Sequence, residues 1–153
     1  MKRLHVSVNV DDLDHAIKFY SALFGSEPGV VKDDYARWRL DEPCVNFATT
    51  SRGRKLGVDH LGIDVDDRAE LDEVASRLKA AGHAASDTTE GACCYHQSAK
   101  SWTVDPGGVA WETFHTYDTS VTYGTDTVDE DNIAQMAAEN DAPHTPRSSG
   151  SCC

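Results

Sequence analysis

Apolar and polar residues alternate at the beginning of the chain. The segment His5–Asp12 has a period of two, which is typical of a strand with one buried face. Apolar residues then recur at helical spacing from Ile17 to Phe24, and Gly25 follows as a helix-ending glycine. This part of the sequence therefore predicts a strand followed by an amphipathic helix.

The same arrangement returns in the middle of the chain. The segment His60–Asp67 repeats the alternation, begins with the same residue and ends in the same Asp-Asp pair. Leu71, Val74 and Leu78 then form an apolar helical stripe, and Gly82 ends the predicted helix. A second strand and helix are therefore predicted here.

The remaining parts of the two halves also correspond. Trp38–Asp41 matches Trp102–Asp105, and each is followed by a turn with proline and a further strand, over residues 45–50 and 109–116. Each half is thus predicted to be β-α-β-β-β. Matching positions lie about one half-domain apart, which indicates an internal duplication.

The two modules are predicted to span residues 1–52 and 56–117 and to pair into a single α+β domain with a shared cleft. Thr, Ser, Asp, Asn and Pro dominate residues 118–153, a composition typical of a flexible tail. A short helix is predicted within this tail at 132–139, and the chain ends in Cys152–Cys153.

Acidic residues outnumber basic ones along the chain. There are 26 Asp and Glu against 14 Lys and Arg, a formal net charge of −12. That charge argues against nucleic acid or an anionic membrane as the main partner. No apolar run has the length of a membrane helix, and polar residues interrupt any signal-peptide core. We therefore expect a cytoplasmic protein with reduced thiols.

Three candidate metal ligands follow from the duplication. His5 and His60 begin equivalent strands of the two modules, and Glu112 lies on the last strand of the second. Modules paired about a pseudo-twofold axis would bring the three side chains together, so we predict that they are the metal ligands and the catalytic centre. The position equivalent to Glu112 is Ala48, so a fourth ligand is missing. Two His and one carboxylate with open positions favour Fe(II), although Mn, Zn or Co could bind the same ligands.

Five further histidines have no duplicated counterpart and are predicted to be surface or structural residues. They are His15, His83, His96, His115 and His144. Of these, His96 and His115 are the two to re-examine first against a structure.

Adjacent cysteines, Cys93 and Cys94, form a second candidate site. Neighbouring Cα atoms are about 3.8 Å apart, whereas disulfides usually need about 4.4–6.8 Å. In an irregular loop, which Gly91 favours, both thiolates could bind one soft centre. A trivalent arsenic bearing one organic group offers two exchangeable positions, and Cd(II) or Zn(II) would also bind. The alternative is a pair of small buried apolar residues.

Together these features resemble the vicinal oxygen chelate superfamily, whose members pair βαβββ modules around a metal. Within it, the chain resembles the carbon–arsenic lyases of the ArsI/CadI family over roughly residues 1–117. The resemblance is carried by His5, His60, Glu112, Cys93–Cys94 and the run Trp102–Glu112.

The resemblance implies an Fe(II)- and O2-dependent enzyme. Its substrates would be trivalent organoarsenicals such as methylarsonous acid, whose carbon–arsenic bond it would cleave to release arsenite. In that interpretation Cys93 and Cys94 bind the arsenic, while His5, His60 and Glu112 hold the iron.

Other functions within the superfamily remain open. A cadmium- or soft-metal-binding resistance protein of the same family would use the cysteines without turnover, and an extradiol-type dioxygenase would use the same triad. Ala48 disfavours a glyoxalase, and the triad disfavours a metal-free module of the bleomycin-resistance type. The sequence also leaves open whether the modules form the cleft within one chain or exchange in a homodimer.

Overall fold

The computed structural model of the chain describes residues 1–120, 124 and 130–141. The first half contains β1 (Arg3–Asn9), α1 (Leu13–Phe24), β2 (Val30–Lys32), β3 (Tyr35–Leu40) and β4 (Val45–Thr50). The second contains β5 (Gly57–Asp64), α2 (Arg68–Ala80), β6 (Thr89–Cys93), β7 (His96–Val104) and β8 (Ala110–Thr119). Both halves therefore have the predicted order β-α-β-β-β.

The strands form one mixed eight-stranded sheet in the order β2-β3-β4-β1-β5-β8-β7-β6. At its centre β1 and β5 are antiparallel, and each is flanked by the last strand of its own half, β4 or β8, in parallel. The order is thus the same on both sides of the central pair, as a duplication requires. The α+β fold of two paired βαβββ modules is confirmed.

The repeated Asp-Asp pairs mark the beginnings of α1 and α2. Asp12 is the N-cap of α1 and its Oδ1 accepts a hydrogen bond from the backbone N–H of His15 at 2.8 Å. Asp67 caps α2 in the same way through the N–H of Glu70 at 2.9 Å. Aspartate is favoured at this position because it satisfies a backbone donor that the first helical turn leaves unpaired.

Apolar side chains lie on the outer face of the sheet, under the helices. In the first half, Val8, Trp38 and Phe47 pack together with Leu13 of α1, and the rings of Tyr20 and Phe47 are 4.4 Å apart between centroids. The alternate residues of the same strands face the inside of the curled sheet. Many of these are buried yet polar, including Arg3, His5, Ser7, Asn46, Lys100 and Glu112.

A third helix, α3 (Glu130–Asp141), covers the predicted short helix at 132–139. It is attached to the domain, since Asn140 accepts a hydrogen bond from the backbone of Ala84 at 2.6 Å and donates one to the carbonyl of Val104 at 2.8 Å. The rest of the predicted tail beyond Ser120, including Cys152–Cys153, lies outside the described residues apart from Gly124. No helix in the described ranges is long and apolar enough to cross a membrane.

Candidate metal centre

His5, His60 and Glu112 converge inside the cleft, as the duplication predicted. Each offers one ligand atom, and these atoms all lie within 4.8 Å of one another. His5 comes from β1, His60 from β5 and Glu112 from β8, so three strands contribute to the group. All three residues are at least nine-tenths buried. A divalent ion at their centre would have two nitrogen donors and one oxygen donor.

The ring of His5 is held by the neighbouring strand. Its Nδ1–H donates a hydrogen bond to the carbonyl of Asn46 at 2.8 Å, and Phe114 packs edge-on against it with ring centroids 5.0 Å apart. A proton on Nδ1 leaves Nε2 unprotonated, as a metal ligand must be.

A carboxylate orients the second histidine. Nδ1–H of His60 donates to Asp59 Oδ2 at 2.7 Å, and Asp59 in turn accepts from Asn9 at 2.8 Å and pairs with Arg54 at 3.1 Å. On the other side of the ring, Nε2 lies 3.6 Å from Glu112 Oε2. This carboxylate–histidine pair is the outer-shell arrangement that fixes ring orientation in many metal sites.

A buried lysine pairs with the carboxylate of Glu112. Lys100 Nζ lies 2.6 Å from Glu112 Oε1, and both side chains are almost fully buried. The lysine therefore occupies one carboxylate oxygen and leaves Oε2 directed toward His60. A buried charge pair of this kind avoids the large cost of leaving either ion unpaired.

The surroundings give the three groups different protonation states. Burial, reinforced by the charge of His60, lowers the pKa of His5 to about 4. Burial also acts to lower the pKa of His60, but hydrogen bonds to Asp59 and Glu112 outweigh it and raise that pKa to about 9. For Glu112, burial acts to raise the pKa, yet Lys100 and His60 hold it well below its ordinary value. At neutral pH His5 is therefore neutral and Glu112 ionised.

These residues fit a divalent cation. One neutral imidazole is already prepared as a ligand, and the carboxylate is deprotonated. In the ion's absence the proton on His60 supplies a positive charge at the same place, next to Glu112. A metal ion would replace that proton and meet a ready set of two nitrogens and one oxygen.

Metal affinity is expected to increase with pH. Because the pKa of His60 is raised to about 9, binding must displace one proton, and the dissociation constant should fall about tenfold per pH unit below pH 9. The measurement is a Mn(II) or Co(II) titration at pH 6, 7 and 8. Asp59→Asn, which removes the partner that raises this pKa, should flatten the dependence. A wild-type affinity that is constant from pH 6 to 8 would contradict the assignment.

Gly62 provides space for Glu112. The two residues are paired between β5 and β8, and a Cβ built on Gly62 would overlap the carbonyl oxygen of Glu112. Glycine at this position therefore allows the two backbones to approach and sets the place of the carboxylate.

Gly62→Ala is expected to lower the free energy of unfolding by about 1–3 kcal/mol, since the backbone must shift to admit the methyl group. Metal affinity should fall as well, because Glu112 moves with its strand. Urea unfolding and a Co(II) titration measure the two effects. The matched control is Gly29→Ala, whose Cβ would meet nothing within 4 Å. If Gly62→Ala and Gly29→Ala had the same free energy of unfolding and the same Co(II) affinity, this role for Gly62 would be excluded.

Ala48 occupies the place symmetry-related to Glu112. It pairs with Ser7 between β4 and β1, just as Glu112 pairs with Gly62 between β8 and β5. Ala48 is buried and lines the cleft. The pairing register therefore agrees with the sequence comparison that placed Ala48 opposite Glu112.

The cleft connects the triad with the predicted cysteine site. A cavity of about 40 Å3 is lined by His5 and Glu112 at one end and by Cys94 at the other. That volume accommodates a few water-sized groups. Cys94 is thus brought to the same cavity as two of the predicted metal ligands.

The cysteines stand at a strained hairpin turn. Cys93 ends β6 and pairs with His96 of β7, so that only Cys94 and Tyr95 connect the strands. Both have positive φ, 53° and 63°, where such two-residue turns usually have Asn-Gly. Residues with a side chain are strained in this conformation, and such strained residues in proteins are concentrated at functional sites. The predicted irregular backbone is therefore present, although at Cys94 rather than at Gly91.

Contacts across the cleft support this turn. The hydroxyl of Tyr95 donates to Asp34 Oδ1 at 2.7 Å, and Asp34 lies between β2 and β3 in the other module. Lys32 Nζ is 5.3 Å from the centre of the Tyr95 ring, and Arg52 pairs with Asp34. The tip of the β6–β7 hairpin is therefore attached to the first module, above the cavity.

The site includes residues that the sequence did not single out. Lys100 pairs with Glu112, and Asp59 and Asn46 orient the two histidines. His96, predicted to be a surface or structural residue, is buried and lines the cavity. Alternation along β7 places His96, Ser98 and Lys100 on one face. The sequence alone could not show that this face lines the cavity, because that depends on the register of the β6–β7 hairpin. His115 lies outside this cavity and approaches the carbonyl of Val65 at 3.4 Å.

Comparisons with known proteins agree with this architecture. Residues 2–113 match the Glyoxalase/Bleomycin resistance protein/Dioxygenase superfamily. The chain is 36% identical to the trivalent organoarsenical cleaving enzyme of Thermomonospora curvata, over 99% of this chain and 93% of that protein. It is 33% identical to the cadmium-induced protein CadI of Mycobacterium tuberculosis, over 81% of this chain and 82% of that protein. The structure of methylmalonyl-CoA epimerase from Streptomyces coelicolor is similar in fold only, with a TM-score of 0.53 and 18% sequence identity. The similarity covers 80% of this chain and 96% of that chain.

The match to the superfamily spans both modules, and the similarity to the organoarsenical cleaving enzyme spans nearly the whole chain. The chain is therefore a member of the glyoxalase/bleomycin resistance/dioxygenase superfamily, in the group that contains the trivalent organoarsenical cleaving enzymes and CadI.

Proposed function

We propose that this protein is an Fe(II)- and O2-dependent enzyme that cleaves the carbon–arsenic bond of trivalent organoarsenicals and releases arsenite. The observation that carries the proposal is the shared cavity, which has the triad residues His5 and Glu112 at one end and Cys94 at the other. The similarity to enzymes named for the same reaction supports it. A cytoplasmic location, where thiols stay reduced, is part of the proposal.

His5, His60 and Glu112 would hold the iron. Their outer partners, Asn46 and Asp59, keep both imidazole rings in the orientation that presents Nε2 to the ion. The chemistry that Fe(II) supplies in such a site is the binding and activation of O2 at its open positions. The small Ala48 keeps one side of the centre clear of protein ligands.

Cys93 and Cys94 would bind the arsenic. In a regular strand adjacent side chains point to opposite faces, but the left-handed conformation of Cys94 ends that alternation. Two thiols exchange with the two hydroxyls of an organoarsenous acid, forming two arsenic–sulfur bonds and releasing two waters. The arsenic is then fixed beside the metal, which supplies the proximity that a bimolecular reaction lacks.

The cavity would join the proposed arsenic and iron sites, since residues from both line it. Lys100, Ser98 and Phe114 line the wall between the cysteine end and the metal end. The three proposed ligand residues lie close together within one chain; a homodimer remains a prediction.

A soft-metal-binding resistance protein is the second candidate function. It is favoured by the similarity to a protein named as cadmium-induced and by the affinity of thiolates for Cd(II). In that function Cys93 and Cys94 matter, while the triad and O2 do not. An extradiol-type dioxygenase would need the triad but not the cysteines.

The test is an assay of the purified, reduced protein loaded anaerobically with Fe(II). Methylarsonous acid is added, O2 is admitted, and the arsenic species are separated. Arsenite that forms only with Fe(II), O2 and both cysteines would establish the lyase. Tight binding of the arsenical or Cd(II) without a new arsenic species would favour sequestration, and oxygen uptake with a catechol substrate would favour the dioxygenase.

A further inference from the structure

A buried histidine with unpartnered nitrogens lies at the cysteine end of the cavity. His96 is 8% exposed, and among the described residues neither Nδ1 nor Nε2 has a hydrogen-bond partner of normal geometry. The backbone of Asp118 lies near enough to influence its pKa, but outside that geometry. Burying a polar group without a partner costs stability. The ring is therefore better suited to a transient partner in the cavity than to a structural role.

The position of His96 connects it to the cysteines. It is paired with Cys93 across the hairpin, and it lines the same cavity as Cys94. Residues 96, 98 and 100 of β7 all line this cavity. Since alternate residues of a strand are about 6.8 Å apart, His96 is about 13 Å along the strand from Lys100. It therefore stands at the end where arsenic would bind, away from the triad.

The ring of His96 is neutral at physiological pH. Burial, and then the charge of Arg37, lowers its pKa to about 4. A neutral imidazole has one N–H donor and one nitrogen acceptor. The unprotonated nitrogen of His96 can therefore accept a proton from a neighbouring group and return it.

We propose that His96 relays the proton when a cysteine thiol takes up an arsenical, an inference that rests on the proposed function of Cys93 and Cys94. As sulfur attacks arsenic, the thiol proton passes to the unprotonated nitrogen of His96. The same nitrogen then returns this proton to the departing hydroxyl on the same arsenic, which leaves as water. One sulfur–hydrogen and one arsenic–oxygen bond break, one arsenic–sulfur and one oxygen–hydrogen bond form, and the imidazole is neutral again at the end of the step.

A relay accelerates binding and release equally, so it changes rates and leaves the equilibrium unchanged. Proton transfer by a positioned side chain contributes about 10²–10⁴-fold. His96→Phe, which keeps the ring shape without nitrogens, should slow arsenic binding by about 100-fold at the lower end of that range. Its thermal stability should not fall, because the substitution removes two unpartnered buried atoms. His96→Gln should be slow as well, since an amide is too weak a base to take up the thiol proton.

The experiment uses the full-length, metal-free, reduced protein under anaerobic conditions. Cys44, Cys152 and Cys153 are replaced by serine, so that only the hairpin thiols react. Phenylarsenous acid is mixed by stopped flow, and the ultraviolet absorbance of the arsenic–thiolate bonds is followed in H2O and D2O. His15→Gln, at an exposed position of α1, is the matched control.

Slow binding in both His96 variants, with unchanged equilibrium affinity and a solvent isotope effect seen only in the parent, would support the relay. Unchanged rates would overturn it. So would a loss of affinity equal to the loss of rate, because His96 would then hold the arsenical or order the hairpin. If the parent binds no arsenical, the relay and the thiol site both fail. If it binds the arsenical yet forms no arsenite with Fe(II) and O2, only the lyase function fails.

Discussion

Replacing either Cys93 or Cys94 by serine is expected to abolish conversion of methylarsonous acid to arsenite while Fe(II) remains bound. Loss of one thiol turns two-point binding of arsenic into one-point binding, which typically weakens the apparent affinity by about 10²–10⁴-fold. The iron should stay because the three predicted ligands lie on β1, β5 and β8, outside the β6–β7 hairpin. Separation of arsenic species and an iron titration measure the two outcomes.

The control for this prediction is Cys44→Ser. Cys44 is a thiol of the same chain whose Sγ lies 3.4 Å from the carbonyl of Lys2, away from the cavity. This variant should keep full activity. Loss of iron in the Cys93 or Cys94 variants would contradict separate roles for the thiols and the triad. Full activity in either variant would exclude the thiol pair as the arsenic site.

His60→Ala is expected to lose both iron and activity while it still binds the arsenical. Removal of an outer-shell partner alone costs about 10–100-fold in metal affinity, so loss of a ligand should exceed about 100-fold. Arsenical binding should remain because the hairpin cysteines are separate from β5. The measurements are Fe(II) affinity, arsenite formation and arsenical binding on one preparation.

His15→Ala is the matched histidine control, since His15 is exposed on α1 and has no duplicated counterpart. Its iron affinity and turnover should equal those of the wild type. The iron affinity and turnover of Asp59→Asn should lie between those of His15→Ala and His60→Ala, because His60 keeps its position but loses its charged partner. A fully active His60→Ala would remove the triad from the mechanism.

Much of the fold was predictable because the two halves of the sequence repeat the same pattern of apolar and polar residues. The alternation at His5 and at His60, and the matching Trp38 and Trp102, gave two modules whose strand order is confirmed. The same comparison assigned Ala48 to the place of Glu112, and the pairing register agrees. Repetition is informative here because each copy tests the interpretation of the other.

Other parts of the site depend on register and could not be derived from one strand at a time. Lys100 reaches Glu112 only because β7 and β8 are antiparallel neighbours in one particular alignment. The Cys94–Tyr95 turn lacks the Asn-Gly signature that usually announces a two-residue hairpin. Without that turn the inward position of His96 was not visible, and it was predicted to be a surface or structural residue.

Because Ala48 stands where the second module has Glu112, the two modules contribute unequally to the proposed triad. The second supplies two of the three triad side chains, and the first supplies His5 alone. The wall of the cavity around Ala48, Arg37 and Tyr35 belongs to the first module. Substitutions there can reshape the cavity without removing a residue of the proposed triad. The first module is therefore expected to tolerate more change in its part of the cavity wall than the second, with His5 as the exception.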